Sequence, residues 1–395
     1  MNDALLTSDG IQRLRKRCAV VGLAAAVAAG IGAALDLERF LQAYLLAFLF
    51  WIALPLGSLA LFYLHRLTGG AWGYAIRRVL ESSLRTLPWM GLLFVPIALG
   101  LHSIYPWADA AAVAADPVLQ HKQIWLNKFA FVGRAVVYFA LWIALATMAV
   151  RLSGRLDRAS EPRTERRLRS LAGPAVGLYV ISMTLAAVDW AMSLEPHWYS
   201  TIYGLCFVVG QGLATFAFAI LLCAWLAPRE AFARWVSADQ FHDLGKLLFA
   251  FVFLWAYLAY SQFLIIWSGN LAEETPWYLH RSSHGWQVLA LSLIALHFFL
   301  PFALLLSRKI KREPRLLARV AGMLLFMRLL DLAWTVLPAF HPDSMSLSWM
   351  DLAVPLAMGG LWLWLFLGNL ERQRLPSLQD EGFARNREDL GHAHA

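Results

Sequence analysis

Ten times along this chain an apolar run long enough to cross a lipid bilayer recurs, and that recurrence constrains the fold more than any other feature. A hydrocarbon core of ~30 Å needs about 20 predominantly apolar residues per helix. The runs are residues 18–35, 40–64, 86–104, 129–150, 171–192, 200–226, 244–267, 286–306, 316–338 and 349–370. The third is short and follows an amphipathic stretch, Ala71 to Leu87, that is expected to lie along the interface. With 59% hydrophobic and only 15% charged residues, against about 25% charged in ordinary soluble domains, the chain cannot hide its apolar surface in one soluble core. Lipid is the expected solvent. The fold class is all-α polytopic membrane protein with ten transmembrane helices.

The charges between the runs alternate. Basic blocks precede the first run (Arg13, Arg15, Lys16, Arg17) and follow the second (Arg66, Arg77, Arg78, Arg85). They recur after the fourth (Arg151 to Arg169), the sixth (Arg229, Arg234), the eighth (Arg308 to Arg315) and the tenth (Arg372, Arg374, Arg385, Arg387). The intervening connections carry Arg39 alone, Lys122 and Lys128 offset by Asp109 and Asp116, no cation in 193–199, Arg281 beside two glutamates, and none after the ninth run. By the positive-inside rule, both termini are expected in the cytoplasm. Residues 1–17 are then a cytoplasmic N-terminal segment, 18–370 the membrane domain and 371–395 a flexible cytoplasmic tail. The basic start resembles a signal peptide, but the many spans behind it make it an uncleaved first helix. The net charge of +8 sits in short blocks between apolar runs, so it reads as topology and excludes nucleic acid as a partner. Cys18, Cys206 and Cys223 all lie in apolar runs, outside any CxxC or CxxCH pattern, which argues against disulfides and covalent haem.

Ionisable residues inside or at the ends of spans are functional candidates by default. Asp189 lies at the end of span five, with Glu195 and His197 just beyond it. Glu273 and Glu274 follow span seven, flanked by Trp267, Trp277, Tyr278 and Arg281, with His284 nearby. His102 ends span three, and Arg134, in the first turns of span four, is the candidate ion partner of Asp189. All belong to one side of the membrane. Structural ion pairs with solvated loop charges account for them as readily as a proton path or a quinol headgroup site. Arg328 and Asp331, three apart in the middle of span nine, share a helix face and can pair. Their face must point into the bundle or a wet cavity, as self-neutralising structure or as a step in a proton path. His297, in the middle of span eight, has no second histidine at helical spacing, so a hydrogen-bonded packing role outweighs a ligand role. His242, Asp243 and Lys246 sit together at the cytoplasmic mouth of span seven, as a solvated cap or a proton entrance. Gln211, between two glycines on span six, can bond across helices where small residues allow close packing. Aromatic residues at helix ends are interfacial belts first.

Two long stretches, VDWAMSLEPHWYSTIYG (188–204) and FLWAYLAYSQFLIIWSGNLAEETPWYLHR (253–281), resemble the F subunit of bacterial alternative complex III, a quinol:cytochrome c oxidoreductase of the wider polysulfide-reductase C-subunit/NrfD-like group. The ten-helix count and the length agree with it. The resemblance implies two four-helix bundles, helices 2–5 and 6–9, with helices 1 and 10 flanking. It implies location in the bacterial inner membrane. It also implies partners: a sister C-type membrane subunit, an iron–sulfur subunit, and multihaem and monohaem cytochrome c subunits. Iron–sulfur clusters and haem c would belong to those partners and quinol to the sister. This chain would carry no cofactor, would be no enzyme alone, and would serve as structural partner and proton-conducting subunit. One departure is visible: Ala272 stands where the family has proline before the two glutamates, which removes a rigid turn.

The proton route so implied enters at His242, Asp243 and Lys246, continues through His297, Arg328 and Asp331, and leaves by Asp189, Glu195, His197, Glu273 and Glu274. Two other readings stay open. A secondary transporter predicts matched broken helices in two halves, with Pro55, Pro96, Pro174, Pro301 and Pro355 as breakers. A purely structural anchor predicts that no single ionisable residue matters once assembly is intact.

Overall fold

The structure is a computed structural model and describes residues 9–158, 162–228 and 236–373. Arg229, Arg234 and the tail from Arg374, with Arg385 and Arg387, lie outside the described residues, as do residues 1–8. Among the described residues, ten helices are long and apolar enough to cross a membrane. We number them α1 (Asp9–Leu35), α2 (Leu37–Thr68), α3 (Ala71–Leu99), α4 (Lys128–Leu156), α5 (Pro162–Trp190), α6 (Tyr203–Leu226), α7 (Ala238–Gly269), α8 (Trp286–Leu306), α9 (Pro314–Val336) and α10 (Met350–Glu371). Among the described residues there is no strand. This is the outcome lipid imposes, because a helix satisfies its backbone groups within itself. Outward-facing apolar side chains such as Leu23, Val136, Val137 and Tyr257 are more than half exposed and make the lipid-facing surface. The chain is an all-α polytopic membrane protein.

Each expected run is found, and local chemistry sets the ends. α7 begins at Ala238, before the apolar run, because Ser237 and Gln240 form a reciprocal capping box. It stops at Gly269, where Asn270 takes a left-handed conformation (φ 45°). α1 starts at Asp9, so the near end of the basic N-terminal segment is already helical rather than a separate piece.

α2 packs on α3, α5 and α4, and α6 packs on α7 and α9, with α8 closing the second group against α9 and α7. The two groups meet where α6 lies against α2 and α5. α1 and α10 pair along their length on the flank, and α10 also rests on α2. Helices 2–5 and 6–9 are therefore two four-helix bundles with helices 1 and 10 outside them. Arg15 of α1 pairs with Glu371 of α10 at 3.0 Å, so both described chain ends fall on one side, called here the near side.

One expectation is corrected. Residues 71–87 do not lie along the interface. They form the buried near-side half of α3, and Arg77, Arg78 and Glu81 are each less than one-tenth exposed. Their polar side faces the end of α4 rather than headgroups. Arg77 bonds Glu81 at 2.9 Å and Asp157 at 2.8 Å, Arg78 bonds the same two carboxylates at 2.7 and 2.8 Å, and Ser153 donates to Glu81 at 2.5 Å. The charges neutralise one another, which removes the reason for them to seek water. α3 then continues in short pieces, Leu87–Leu93 and Val95–Leu99, each with a proline at its start. α8 contains a π-helical segment, Leu293–Phe299, directly before Pro301. Pro301 has no N–H to give the carbonyl of His297, and the wider turn accommodates that loss. Pro55, Pro174 and Pro355 lie within continuous helices. The interrupted helices are the second of one bundle and the third of the other, so they are not the matched pair a transporter repeat requires.

Candidate functional site

The ionisable residues singled out in the sequence fall into separate tiers. On the far side, Asp189 of α5 has a side chain that is 0% exposed and surrounded by donors. Arg134 of α4 reaches both its oxygens, from Nε at 2.9 Å and from a terminal nitrogen at 2.8 Å. The Tyr138 hydroxyl donates at 2.9 Å and Trp125 Nε1 at 2.9 Å. The Arg134 guanidinium also lies 4.1 Å from the ring centre of Trp125. The expected Arg134–Asp189 pair is present, and this many donors is the arrangement of an anchor between α4 and α5.

Glu195 belongs to a different cluster. Its Oε2 accepts from Arg281 at 2.6 Å, and His280 Nδ1 lies 3.4 Å from its other oxygen. Arg281 is 1% exposed, donates to the carbonyls of Trp277 and Thr335, and lies over the Trp277 ring at 3.7 Å. Trp277 in turn stacks on Trp198 with ring centres 4.7 Å apart. Nearby, Gln262 of α7 links Ser200 (3.1 Å) to the Tyr278 hydroxyl (3.3 Å), and burial raises the Tyr278 phenol above its usual range. His197 stands apart: it is exposed and pairs with Asp116 at 2.8 Å. Glu273 is exposed and Glu274 half-buried, and neither joins the Glu195 cluster. His102 and His284 are exposed as well.

Halfway along the second bundle is the most unusual tier. Arg328 and Asp331 of α9 form the expected salt bridge on one helix face, both under one-tenth exposed. Trp255 Nε1 of α7 donates to the same Asp331 oxygen at 3.1 Å. The Trp255 ring meets His297 of α8 edge-on at 4.2 Å between centres. His297 is fully buried, and neither of its ring nitrogens has a hydrogen-bond partner. The hydrogen-bonded packing role expected for it is therefore not what is found, because the π turn carries the ring against Trp255 rather than towards a donor or acceptor. Gly210 of α6 makes room for this tier: a Cβ there would stand 2.3 Å from the Arg328 guanidinium carbon. Its neighbour Gln211 bonds across to α5, accepting from Tyr179 at 2.6 Å, as the small-residue packing led us to expect.

A cavity of about 630 Å3 connects the middle and far-side tiers of this bundle. Arg328, Asp331 and Trp255 line its deep end, and Gln262, Tyr278 and Arg281 its far end. The remaining walls are mostly aromatic and aliphatic. His242, Asp243 and Lys246 cap α7, with Lys246 bonded to Asp243 at 2.9 Å and His242 outside that pair. Between Lys246 and Trp255 on α7, and between Arg319 and Arg328 on α9, every side chain is apolar. The cavity thus joins the middle tier to Arg281, which bonds Glu195.

Two clusters escaped sequence reasoning. One is the Arg77–Arg78–Glu81–Asp157 group. The other ties α2 to α10 on the far side: Arg39 donates to Asp351 at 2.5 Å and to the Ser346 carbonyl at 2.7 Å, and contacts His341 Nε2. Burial, then the Arg39 charge, lowers the His341 pKa. The only hint was a lone acid and a lone base at the starts of spans two and ten. Among the described residues, no three His, Cys, Asp or Glu side chains gather as metal ligands. No protein-family model matches the chain, and neither does any curated protein.

Proposed function

We propose that this chain is the F-type membrane subunit of a respiratory quinol:cytochrome c oxidoreductase of the alternative complex III kind. It lies in the bacterial inner membrane with both termini cytoplasmic and embedded in lipid. Its partners are a sister C-type subunit, an iron–sulfur subunit and multihaem and monohaem cytochrome c subunits. Electrons pass through those partners, and this chain is the structural partner of the quinol-binding sister.

One observation carries the reading. The two stretches that bear the resemblance, 188–204 and 253–281, lie apart in sequence yet meet as one unit. Glu195 bonds Arg281 at 2.6 Å, Trp198 stacks on Trp277 at 4.7 Å, and Ser200 bonds Gln262 at 3.1 Å. Motifs that are long, specific and mutually locked support a shared architecture rather than coincidence in separate loops. Proton movement is confined in this reading to the outer half of the second bundle, between Asp331 and the Glu195–Arg281 pair. That is where ionisable groups line a continuous cavity.

The test is purification of the tagged chain in mild detergent, with haem and iron assays and mass spectrometry of what accompanies it. Co-purifying multihaem and iron–sulfur subunits are the expected result; a colourless single species overturns the reading. Within an intact complex, Asp331→Asn is expected to lower the number of protons released per electron. An unchanged ratio removes Asp331 from the path.

A further inference from the structure

The cavity of the second bundle also defines what could occupy it. Its volume, about 630 Å3, is that of an ordinary small-molecule site. Its outer wall includes Tyr257, Tyr260 and Phe299, exposed by 59%, 62% and 60% on the lipid-facing surface, so access is sideways from the membrane. An occupant must therefore be lipid-soluble.

Charge and depth narrow the headgroup. Each cation lining the cavity is matched: Arg328 by Asp331 and Arg281 by Glu195. An anionic head finds no net positive charge there, and a cationic head no net negative one. Asp331 lies five residues inside the far end of α9, roughly 7.5 Å at 1.5 Å per residue, within a hydrocarbon core of ~30 Å. A phosphate dragged to that depth would lose its hydration without a counter-charge. Hydrogen bonding specifies the rest. Arg328 and Trp255 both donate to Oδ2 of Asp331, which leaves Oδ1 as an acceptor at the cavity's deep end. At the far end the Tyr278 oxygen accepts from Gln262, which leaves its O–H to donate.

From this we infer that the cavity binds an uncharged lipid whose headgroup carries a hydroxyl, with that hydroxyl donated to Asp331 and the tail leaving between Tyr257 and Phe299. A quinol and a diacylglycerol share this chemistry. Counting a quinol among the sources rests on the respiratory reading; the neutrality and depth of the site do not.

The test uses the full chain in phosphatidylcholine nanodiscs and equilibrium binding of labelled decylubiquinol, dioctanoylglycerol and dioctanoyl phosphatidylglycerol, with empty nanodiscs as the partition control. Saturable binding of one molecule of either neutral probe per chain is expected. Ala259→Phe and Ala290→Phe, which fill the cavity from α7 and α8, are each expected to weaken it at least tenfold, and so is Asp331→Asn. Melting temperature identifies any variant that fails to fold, and the remaining ones decide. Neutral probes that bind no better than to empty discs, or phosphatidylglycerol binding tighter than both, overturn the inference. Unchanged binding in Asp331→Asn alongside loss in the filled cavity overturns the placement of the head. A chain that purifies without respiratory partners yet binds dioctanoylglycerol refutes the proposed function and leaves this inference standing.

Discussion

Replacing Arg134 by methionine separates an anchor from a transit point on the far side. Asp189 takes bonds from Arg134 Nε, a second Arg134 nitrogen, Tyr138 and Trp125, all at 2.8–2.9 Å, in a site where its side chain is 0% exposed. Methionine keeps much of the apolar stem and removes the charge with two of the four bonds. Removing one partner of a buried pair costs about 3–5 kcal/mol. Two donors remain on the carboxylate, and the Arg134 side chain is 17% exposed, so the lower end, about 3 kcal/mol, is expected. That is roughly a hundredfold in the folding equilibrium. Arg134→Met combined with Asp189→Leu removes the orphaned charge as well and should return to within about 1 kcal/mol of the parent, since apolar replacement of a whole buried pair is often neutral. The assay is reversible unfolding in mixed micelles with increasing dodecyl sulfate, followed by tryptophan fluorescence. A single variant within about 1 kcal/mol of the parent would refute the anchor. So would a double variant that loses the sum of the two single effects, because then the groups are not coupled.

Gly210→Ala sets a methyl against the Arg328 guanidinium and should lower stability by about 1–3 kcal/mol in the same assay, with a change in Trp255 emission as its neighbours shift. Glu195→Ala leaves Arg281 buried with only carbonyl partners and should lose about 1.5–3 kcal/mol, whereas Glu273→Gln and Glu274→Gln should stay within about 0.5 kcal/mol. His341 is held below its ordinary pKa by burial and by Arg39, with Asp351 and Glu38 opposing. The neutral ring is therefore the form the fold favours. Its contribution is fully present above a pH of about 6.5, the unfolded value, and is lost as pH falls below it. His341→Gln should flatten that part of the melting-temperature profile between pH 7 and 5, and an unchanged profile would remove His341 from the acid response.

What could be read in the sequence was whatever a short window determines. Apolar run length fixed ten spans, and a three-residue spacing placed Arg328 beside Asp331. A carboxylate at the end of an apolar run demanded a cation at matching depth, which led to Arg134. The misses need information from distant chain. Arg39 and Asp351 are 312 residues apart, and each alone resembles a solvated helix-end charge. The polar side of residues 71–84 looks the same whether it faces headgroups or the end of α4. The π turn at Leu293–Phe299 leaves no mark in an unbroken apolar run except Pro301 after it. Likewise, His242, Asp243 and Lys246 form a polar patch, but a patch does not reveal what its helix neighbours place above it.

The pairing of α1 with α10 bears on how such a chain is made. Gly22 and Gly360 touch so closely that a Cβ on Gly22 would stand 2.7 Å from the other backbone, and Arg15 donates to the Trp364 carbonyl 349 residues onward. At a synthesis rate of about 5–20 residues per second, the first helix waits tens of seconds before the last one exists. Throughout that interval α1, whose apolar window is only 17% buried even in the finished fold, must be kept from wandering or pairing wrongly. Folding of this protein thus waits for α10, and a ribosome halted after α9 would release a chain in which α1 has lost its principal partner.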